Sequence, residues 1–287
     1  MSFVDRVRAC SVFDPDRYTP FAIGDVRVGW VGSAFAERLR AFPEVFIVSA
    51  GSVSLSPFLQ DFETRTSAVD GALRKIADQG LIRGWRNEPF PVAASPTAPV
   101  LLNMERAAIP LFGIRAYGVH LNGFVRDPDG LRMWVGRRSL HRPRSPGKLD
   151  QLVAGGQPAG LGLRDNLIKE CGEEASIPPA VAARAVATGA VSYMTETEEG
   201  LRRDVLYVYD LELPADFEPC NTDGEIEAFF LWPIERVLET VQDTDAFKFN
   251  CSLVVIDFLI RHGLIEPDHP DYLKLIHGLR SGWQDAP

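Results

Sequence analysis

Cysteine is scarce in this sequence, and its few copies lie far apart. Cys10, Cys171, Cys220 and Cys251 form no Cys-x-x-Cys pair in a chain of 287 residues. Their spacing matches no common zinc-binding pattern and gives no sign of a disulfide framework. A reduced, cytoplasmic setting is therefore the expectation.

Long apolar runs are also missing. The first residues, MSFVDRVRACSVFDPDRYTPF, lack the apolar segment of a secretory signal. No stretch approaches the roughly 20 apolar residues that cross a bilayer. We therefore expect neither a secretory signal nor a membrane partner.

Positive charge is in deficit. The chain has 30 Lys and Arg against 39 Asp and Glu, which gives a net charge of −9. Because nucleic acids and anionic membranes are negative, this balance argues against a general binder of either, although a local basic patch stays open. Apolar residues make up 46% of the chain, which is ordinary for a globular protein with a substantial core.

A proline-rich stretch, NEPFPVAASPTAPV at residues 87–100, divides the chain. It predicts two units, 1–110 and 111–287. The first reads as a small α+β unit, with strands at Phe21–Val31 and Ile82–Val92 and helices at Ala34–Ala41 and Arg65–Gln79. In the second, strands and helices alternate in a way that predicts a mixed sheet flanked by helices, so the fold class is α+β.

Acidic side chains are concentrated in DNLIKECGEEA, residues 165–175. A helix here places Glu170, Glu173 and Glu174 on one face, one turn apart, and an apolar stripe on another. Like charges at this spacing repel, and a hard divalent cation with oxygen ligands would remove that repulsion. We therefore expect Mg²⁺, with Mn²⁺ as an alternative. A solvated acidic face without a metal stays an open interpretation.

The segment around this helix resembles the signature of the Nudix hydrolase family. That signature runs Gly, five residues, Glu, seven residues, Arg-Glu, an apolar residue, one residue, Glu-Glu, one residue, Gly and an apolar residue. The matching positions are Gly155, Leu161, Lys169, Glu170, Cys171, Glu173, Glu174, Ser176 and Ile177. Three of them depart from it, since Leu161, Lys169 and Ser176 replace Glu, Arg and Gly. The resemblance implies a Nudix α/β/α sandwich with a mixed sheet, and hydrolysis of a diphosphate bond.

A wider resemblance covers most of the chain. Segments such as ERAAIPLFGIRAYGVHLNGFV, PGKLDQLVAGG and DGEIEAFFLWPIERV look like a Nudix subfamily related to the Nudix half of thiamine pyrophosphokinase fusions. Its members carry an extra N-terminal domain, and the departures at Leu161 and Lys169 look normal among them. The resemblance implies thiamine diphosphate-like substrates, including oxidised forms, and a monophosphate product.

The family pattern also assigns roles. Glu170 and Glu174 are expected to bind the metal directly, and Glu173 directly or through water. Gly155, with Gly156 beside it, would let the backbone pass close to the metal or phosphate, and a plain turn glycine is the alternative. Lys169 is expected to pair with a glutamate and orient it, or to face solvent.

Nudix enzymes often draw a base or a further ligand from the loop that corresponds to residues 223–227. Glu225 is the first candidate and Glu227 the second, with a polar turn as the alternative. A basic loop reverses the local sign of charge and can hold a diphosphate, although each residue alone is typical of a surface charge. Its members are Arg137, Arg138, Arg142, Arg144 and Lys148.

Two rival functions remain. Nucleoside diphosphate derivatives are the alternative substrates, and a Nudix module that binds a ligand without cleaving it is the alternative class. Leu161 favours the second rival, whereas the complete set of helix glutamates argues against it. The expected partner is a small-molecule diphosphate, and whether the chain forms a homodimer stays open.

Overall fold

The N-terminal part of the chain forms a small four-stranded sheet packed against helices. The computed structural model describes residues 2–142 and 144–283. The first elements are α1 (Phe3–Ala9), β1 (Tyr18–Ile23), β2 (Val26–Gly32), α2 (Ser33–Leu39), β3 (Phe46–Val48), β4 (Val53–Leu55), α3 (Phe62–Asp78), β5 (Pro89–Val92) and β6 (Leu102–Glu105). The strand order is β2-β1-β4-β3, and β5 and β6 form a separate pair. The buried face of α3, with Val69, Leu73 and Ile76, packs into the core of this part.

Two of the predicted strands were wrong. The segment 21–31 contains a hairpin, because Gly24 adopts a left-handed φ of +57° and turns the chain between β1 and β2. In the segment 82–92 only the last four residues form a strand. Gly84 and Asn87 have φ values of +74° and +57°, which interrupt an extended chain.

The rest of the chain is built around a seven-stranded sheet. Its elements are β7 (Arg115–Asp127), β8 (Gly130–Arg138), β9 (Leu149–Asp150), β10 (Val153–Gly156), α4 (Leu163–Ala175), α5 (Pro179–Ala182), β11 (Val186–Thr197), β12 (Gly200–Glu212), β13 (Ile226–Pro233), α6 (Ile234–Asp243), α7 (Phe249–Arg261) and α8 (Tyr272–Gly278). The order is β11-β12-β7-β8-β13, with β10 on β7 and β9 on β8. Because β12 runs parallel to β7 and the neighbouring pairs are antiparallel, the sheet is mixed, as predicted.

Helices cover both faces of this sheet, which confirms the predicted α/β/α sandwich. Strand side chains alternate between the faces. On β7, Val119 and Leu121 pack in the core that contains Leu167 and Cys171 of α4. Phe124 packs on the other face, with the core that contains most of α7. The helix α4 thus lies on one side of the sheet and α7 on the opposite side.

The first helix packs with the second unit. Phe3, Val4 and Val7 of α1 belong to the same buried core as α6, α7 and α8. Arg6 Nε donates to the carbonyl oxygen of Val241 at 3.0 Å. The division near residue 110 stays a prediction. The helix α1 precedes this residue in the sequence but packs against helices that follow it. Residues 284–287 of the proposed second unit lie outside the described part of the chain.

Candidate active site

Two of the three helix glutamates point toward the short strand β10. Glu174 is 6% exposed, and its Oε2 accepts a hydrogen bond from the backbone N–H of Ala154 at 2.8 Å. Glu170 fills the space beside Gly155, where a Cβ atom would lie 2.4 Å from both Cγ and Cδ of the glutamate. Glycine at 155 is therefore required by the close approach of α4.

Burial sets the protonation of these two carboxyl groups. It raises the pKa of Glu174 well above its usual value, and the hydrogen bond from Ala154 opposes that change. Burial also raises the pKa of Glu170, while Lys169 and, more weakly, Arg106 act in the opposite direction. A buried carboxylate beside a partly buried one is an arrangement that a bound cation stabilises, because the two charges repel.

The third helix glutamate has a different environment. Lys169 Nζ lies 2.6 Å from Glu173 Oε2 and 3.3 Å from Glu170 Oε1. Glu173 is about half exposed, and its backbone carbonyl accepts hydrogen bonds from Thr222. The lysine therefore pairs with two glutamates, and Glu173 lies at the outer edge of the acidic group.

Further carboxylates come from the loop before β13. Carboxylate oxygens of Glu174, Asp223 and Glu225 lie within 4.8 Å of one another. The loop is held against α4, because Asn221 Nδ2 donates to the Glu174 carbonyl oxygen at 3.2 Å and its Oδ1 accepts from Gly224 N. Asp223 belongs to the predicted loop of carboxylates, but only Glu225 and Glu227 were named as candidates. The Asp-Gly turn beside Glu225 was the available signal, since Asp residues commonly accept backbone hydrogen bonds in turns.

The second loop candidate lies apart from this group. Glu227 Oε1 is 2.7 Å from Arg137 Nε, and Glu227 Oε2 accepts from the backbone N–H of Leu140 at 3.3 Å. Glu225 instead forms an ion pair with Arg142 beside the acidic group. Of the two predicted glutamates, the structure brings only Glu225 to Glu174.

The donor set fits a hard divalent cation. The grouped carboxylates of Glu174, Asp223 and Glu225 offer only oxygen, and Glu170 lies near Glu174 on α4. Oxygen donors of this kind are preferred by Mg²⁺ and Mn²⁺ over softer metals. Nudix hydrolases in general use divalent metal ions, and Glu170 and Glu174 are the side chains that would hold such an ion here, with Asp223 and Glu225 beside them.

Most of the predicted basic loop is occupied elsewhere. Arg138 is buried, and its Nη1 lies 2.9 Å from Asp150 Oδ2, so the prediction that it contacts a substrate needs correction. Lys148 Nζ binds the carbonyl oxygen and carboxylate of Asp245. Arg137 pairs with Glu227. These three cations are each paired with an acidic residue outside α4.

The other two members of the loop lie near the site. Arg142 contacts Glu225 of the acidic group. Arg144 Nε lies 2.5 Å from Glu199 Oε1 and lines a cavity of about 100 Å³. Of the five predicted residues, Arg142 thus lies next to the acidic group and Arg144 lines the cavity, and their contact with a substrate stays a prediction.

The cavity lies beside the backbone of β10. Ala154, Gly155 and Gly156 form one wall, and β7 and β12 contribute to its floor. Its cationic side chains are Arg106, Arg144, Arg202 and Lys248. Three of these were missed from the sequence because they are contributed by separate segments. The strand register that places Gly155 opposite Val119 brings those segments together.

Beneath the cavity is a buried group of His120, Asp150 and Cys251, whose donor atoms lie within 4.8 Å of one another. Burial acts to raise the pKa of Asp150, but Lys248 and Arg138 outweigh it and lower the pKa to about 2. Burial lowers the pKa of His120 to about 4. With two cations already beside the one carboxylate, this group does not suit a metal ion, and it holds Lys248 at the cavity instead.

The position that departs most from the Nudix signature lies in another cavity. Leu161 lines an apolar space of about 220 Å³ together with Tyr117, Tyr207 and prolines of the linker. Ser176 ends α4 in a left-handed conformation with φ +52°, which explains why the signature has glycine there. Its hydroxyl donates to the Cys220 carbonyl oxygen at 2.7 Å.

Within residues 2–142 and 144–283, no helix is long and apolar enough to cross a membrane. Residues 2–116 match a family model described as a domain of unknown function (DUF4743). The NUDIX domain of Shewanella oneidensis NrtR, in a cocrystal with ADP ribose, is 15% identical with a TM-score of 0.42, over 53% of this chain and 90% of that chain.

Two plant proteins are much closer in sequence. Nudix hydrolase 20, chloroplastic, of Arabidopsis thaliana is 47% identical over 273 residues, covering 92% of this chain and 73% of that protein. Nudix hydrolase 24, chloroplastic, of the same plant is 45% identical over 284 residues, covering 98% of this chain and 78% of that protein.

These relatives correct the expected location and establish the family. The cytoplasmic prediction is wrong by this comparison, because both plant relatives are named chloroplastic. Unpaired cysteines indicate reducing surroundings without identifying the compartment. From its identity to both relatives over more than nine-tenths of its length, this chain belongs to the Nudix hydrolase family and is a hydrolase.

Proposed function

We propose that this enzyme cleaves the diphosphate bond of thiamine diphosphate-like compounds, including oxidised forms, and releases the monophosphate. The observation that supports hydrolysis of a diphosphate is the convergence of carboxylates from α4 and the 221–225 loop near β10, a strand that also lines a cavity with four cationic side chains. Acidic groups suit a divalent cation, and the cations suit phosphate oxygens. The thiamine assignment rests on the resemblance of the sequence to the thiamine pyrophosphokinase-related subfamily.

Each acidic residue has a distinct task in this proposal. Glu170 and Glu174 would hold Mg²⁺, or alternatively Mn²⁺, and Glu173 supports the outer edge of the site with Lys169. Such an ion supplies charge neutralisation on the diphosphate and a lowered pKa for bound water. Glu225 accepts a proton from the attacking water at a carboxylate oxygen, and Asp223 orients Glu225 by accepting its backbone N–H at 2.8 Å.

The substrate side of the site is cationic. Arg144 and Lys248 face the cavity, and Arg202 is held there by Asp204 at 2.8 Å. The backbone at Gly155 and Gly156 passes between these cations and the acidic helix without side chains in the way. A diphosphate placed across β10 would therefore have the acidic helix on one side of the strand and the cationic side chains of the cavity on the other. A homodimer stays a prediction.

A panel of diphosphates tests the proposal. Thiamine diphosphate, its oxidised analogues, ADP ribose and nucleoside diphosphates are incubated with the protein, with Mg²⁺ or with a chelator, and the released products are identified. We expect the thiamine compounds to yield their monophosphates in the presence of Mg²⁺ and no turnover with chelator. Faster cleavage of the nucleotides would assign the enzyme to the rival substrate class, and metal-independent cleavage would contradict the proposed chemistry.

A further inference from the structure

The N-terminal part of the chain reaches the cavity directly. Phe90 and Arg106 line it together with Ile109 and Pro110, opposite the strand β10. A Cβ atom on Gly156 would lie 2.9 Å from Phe90 Cζ and 3.3 Å from Arg106 Cζ. Gly156 is therefore needed for the approach of the N-terminal part, just as Gly155 is needed for the approach of Glu170.

Arg106 is held in a fixed orientation. Its Nη1 lies 2.8 Å from Glu88 Oε2, and its guanidinium lies 5.4 Å from the ring centre of Phe90. Its backbone N–H also donates to the Glu88 carbonyl oxygen at 2.9 Å. A guanidinium has five N–H donors in a rigid fork, so one partner leaves donors for an anion. The Arg106 side chain is 35% exposed, which leaves it accessible from the cavity.

The segment that carries Arg106 is attached to the loop before α4. The backbone N–H of Ala159 donates to the Pro89 carbonyl oxygen at 2.9 Å. The buried side chain of Glu105 accepts the backbone N–H groups of Arg86, Glu88 and Ala107. These contacts fix the position of Arg106 relative to β10 before any ligand binds, which lowers the entropy lost on binding.

We infer that Arg106 is a substrate-binding residue that contacts the phosphate oxygens of the diphosphate, and that the N-terminal part of the chain thereby completes the substrate site. The inference deepens the proposed function and rests on it for the identity of the anion. Arg106 lies against Gly156, the residue of β10 that follows the glycine beside Glu170, so it would reach the anion from the side of β10 opposite the acidic helix. It supplies a planar, forked donor that the lysine at 169 cannot supply.

Binding of methylenediphosphonate, a diphosphate analogue that cannot be hydrolysed, tests the inference without turnover. Titration calorimetry of the full chain with Mg²⁺ present compares the parent protein with Arg106→Gln. We expect the variant to bind about 10- to 100-fold more weakly, the range for a lost charge-assisted hydrogen bond. Arg106→Lys should recover part of the affinity. Arg74→Gln, which breaks an exposed ion pair with Asp70 in the same part of the chain, should bind within about twofold of the parent.

Glu88→Gln separates substrate binding from a structural role. Glutamine removes the charge of the partner but keeps a hydrogen-bond acceptor that can orient Arg106, so affinity should fall less than in Arg106→Gln. Equal losses in Glu88→Gln and Arg106→Gln, or parent-like affinity in Arg106→Gln, would overturn the inference. If binding depends on Arg106 but none of the panel compounds is cleaved, the inference stands and the proposed function fails. If the panel compounds are cleaved and Arg106→Gln keeps the parent affinity and KM, the proposed function stands and the inference about Arg106 fails.

Discussion

The carboxylate of Glu174 is fixed by the backbone N–H of Ala154, at 2.8 Å from Oε2 to N. The contact joins α4 to β10 across 20 residues of sequence. It orients a buried carboxylate whose pKa is raised well above the usual value by burial. The acidic site is thus arranged in advance at a cost in stability, and a cation would offset that cost.

Glu174→Gln should therefore affect stability and activity in opposite directions. Glutamine keeps an acceptor for the Ala154 N–H but removes the buried charge, so the metal-free variant should unfold at a higher temperature than the parent near neutral pH. The rate at which this variant hydrolyses its substrate should fall on the order of 100-fold or more. Thermal unfolding with and without Mg²⁺ checks this, because the increase in midpoint caused by Mg²⁺ should be largely lost. Parent-like hydrolysis would remove Glu174 from the proposed site.

Glu225→Gln and Glu227→Gln should differ, although both remove one charge from adjacent parts of the chain, Glu225 just before β13 and Glu227 within it. Glu225 lies with Glu174 and Asp223, whereas Glu227 pairs with Arg137. We expect Glu225→Gln to raise the Mg²⁺ concentration for half-maximal activity about tenfold or more and to lower kcat. The Glu227 variant is the matched control and should change both quantities little. Similar effects in the two variants would mean that residues 225–227 influence Mg²⁺ activation through their overall charge and not through the position of Glu225.

Gly155→Ala should damage the site without unfolding the protein. The new methyl group would lie 2.4 Å from Cγ and Cδ of Glu170, so that side chain must move away from β10. We expect weaker Mg²⁺ activation, on the order of tenfold. Gly172→Ala is the control, because it lies on exposed α4 surface with nothing within 4 Å. This control should keep parent activity and gain roughly 0.5–1 kcal/mol in urea unfolding. Parent-like Mg²⁺ activation in Gly155→Ala would show that Glu170 does not need its present position.

His120 should make stability depend on pH. Its pKa is about 4 in the folded protein, against 6.5 for an ordinary histidine, chiefly because it is buried and secondarily because of Lys248. Between these values the unfolded chain binds more protons, so stability is fully present above the higher value and is lost as pH falls toward the lower. The loss amounts to about 3 kcal/mol. Urea unfolding of the parent and His120→Gln over this range measures it. The variant should show the shallower dependence, and identical slopes would contradict the assignment.

The sequence predicted the sheet and the acidic helix because their signals are local. The spacing of Glu170 and Glu174 placed both on one face of α4, which the structure shows. The same reasoning could not predict the environment of the basic loop, since Arg138 is held by Asp150 and Arg144 by Glu199, partners brought together only by the tertiary fold. The charge of a loop residue is visible in the sequence, but its burial and its ion-pair partner depend on the tertiary fold.

The cationic cavity was unpredictable for a related reason. Arg106 and Lys248 are separated by about half of the chain and carry no motif, and only the tertiary fold brings both to the cavity beside β10. The sequence showed Gly155 and Gly156 side by side, but not that each allows a different part of the chain to approach β10. Each accommodates an atom group from a different distant segment, Glu170 in one case and Phe90 in the other.

The position of α1 affects how this protein can be divided. Phe3, Val4 and Val7 fill a hydrophobic site among α6, α7 and α8, although more than two hundred residues separate them from those helices. A polypeptide cut at residue 110 would expose that site on one fragment and an apolar helix on the other. Fragments divided there would therefore be prone to aggregate. A fusion protein that carries residues 111–287 would also need α1.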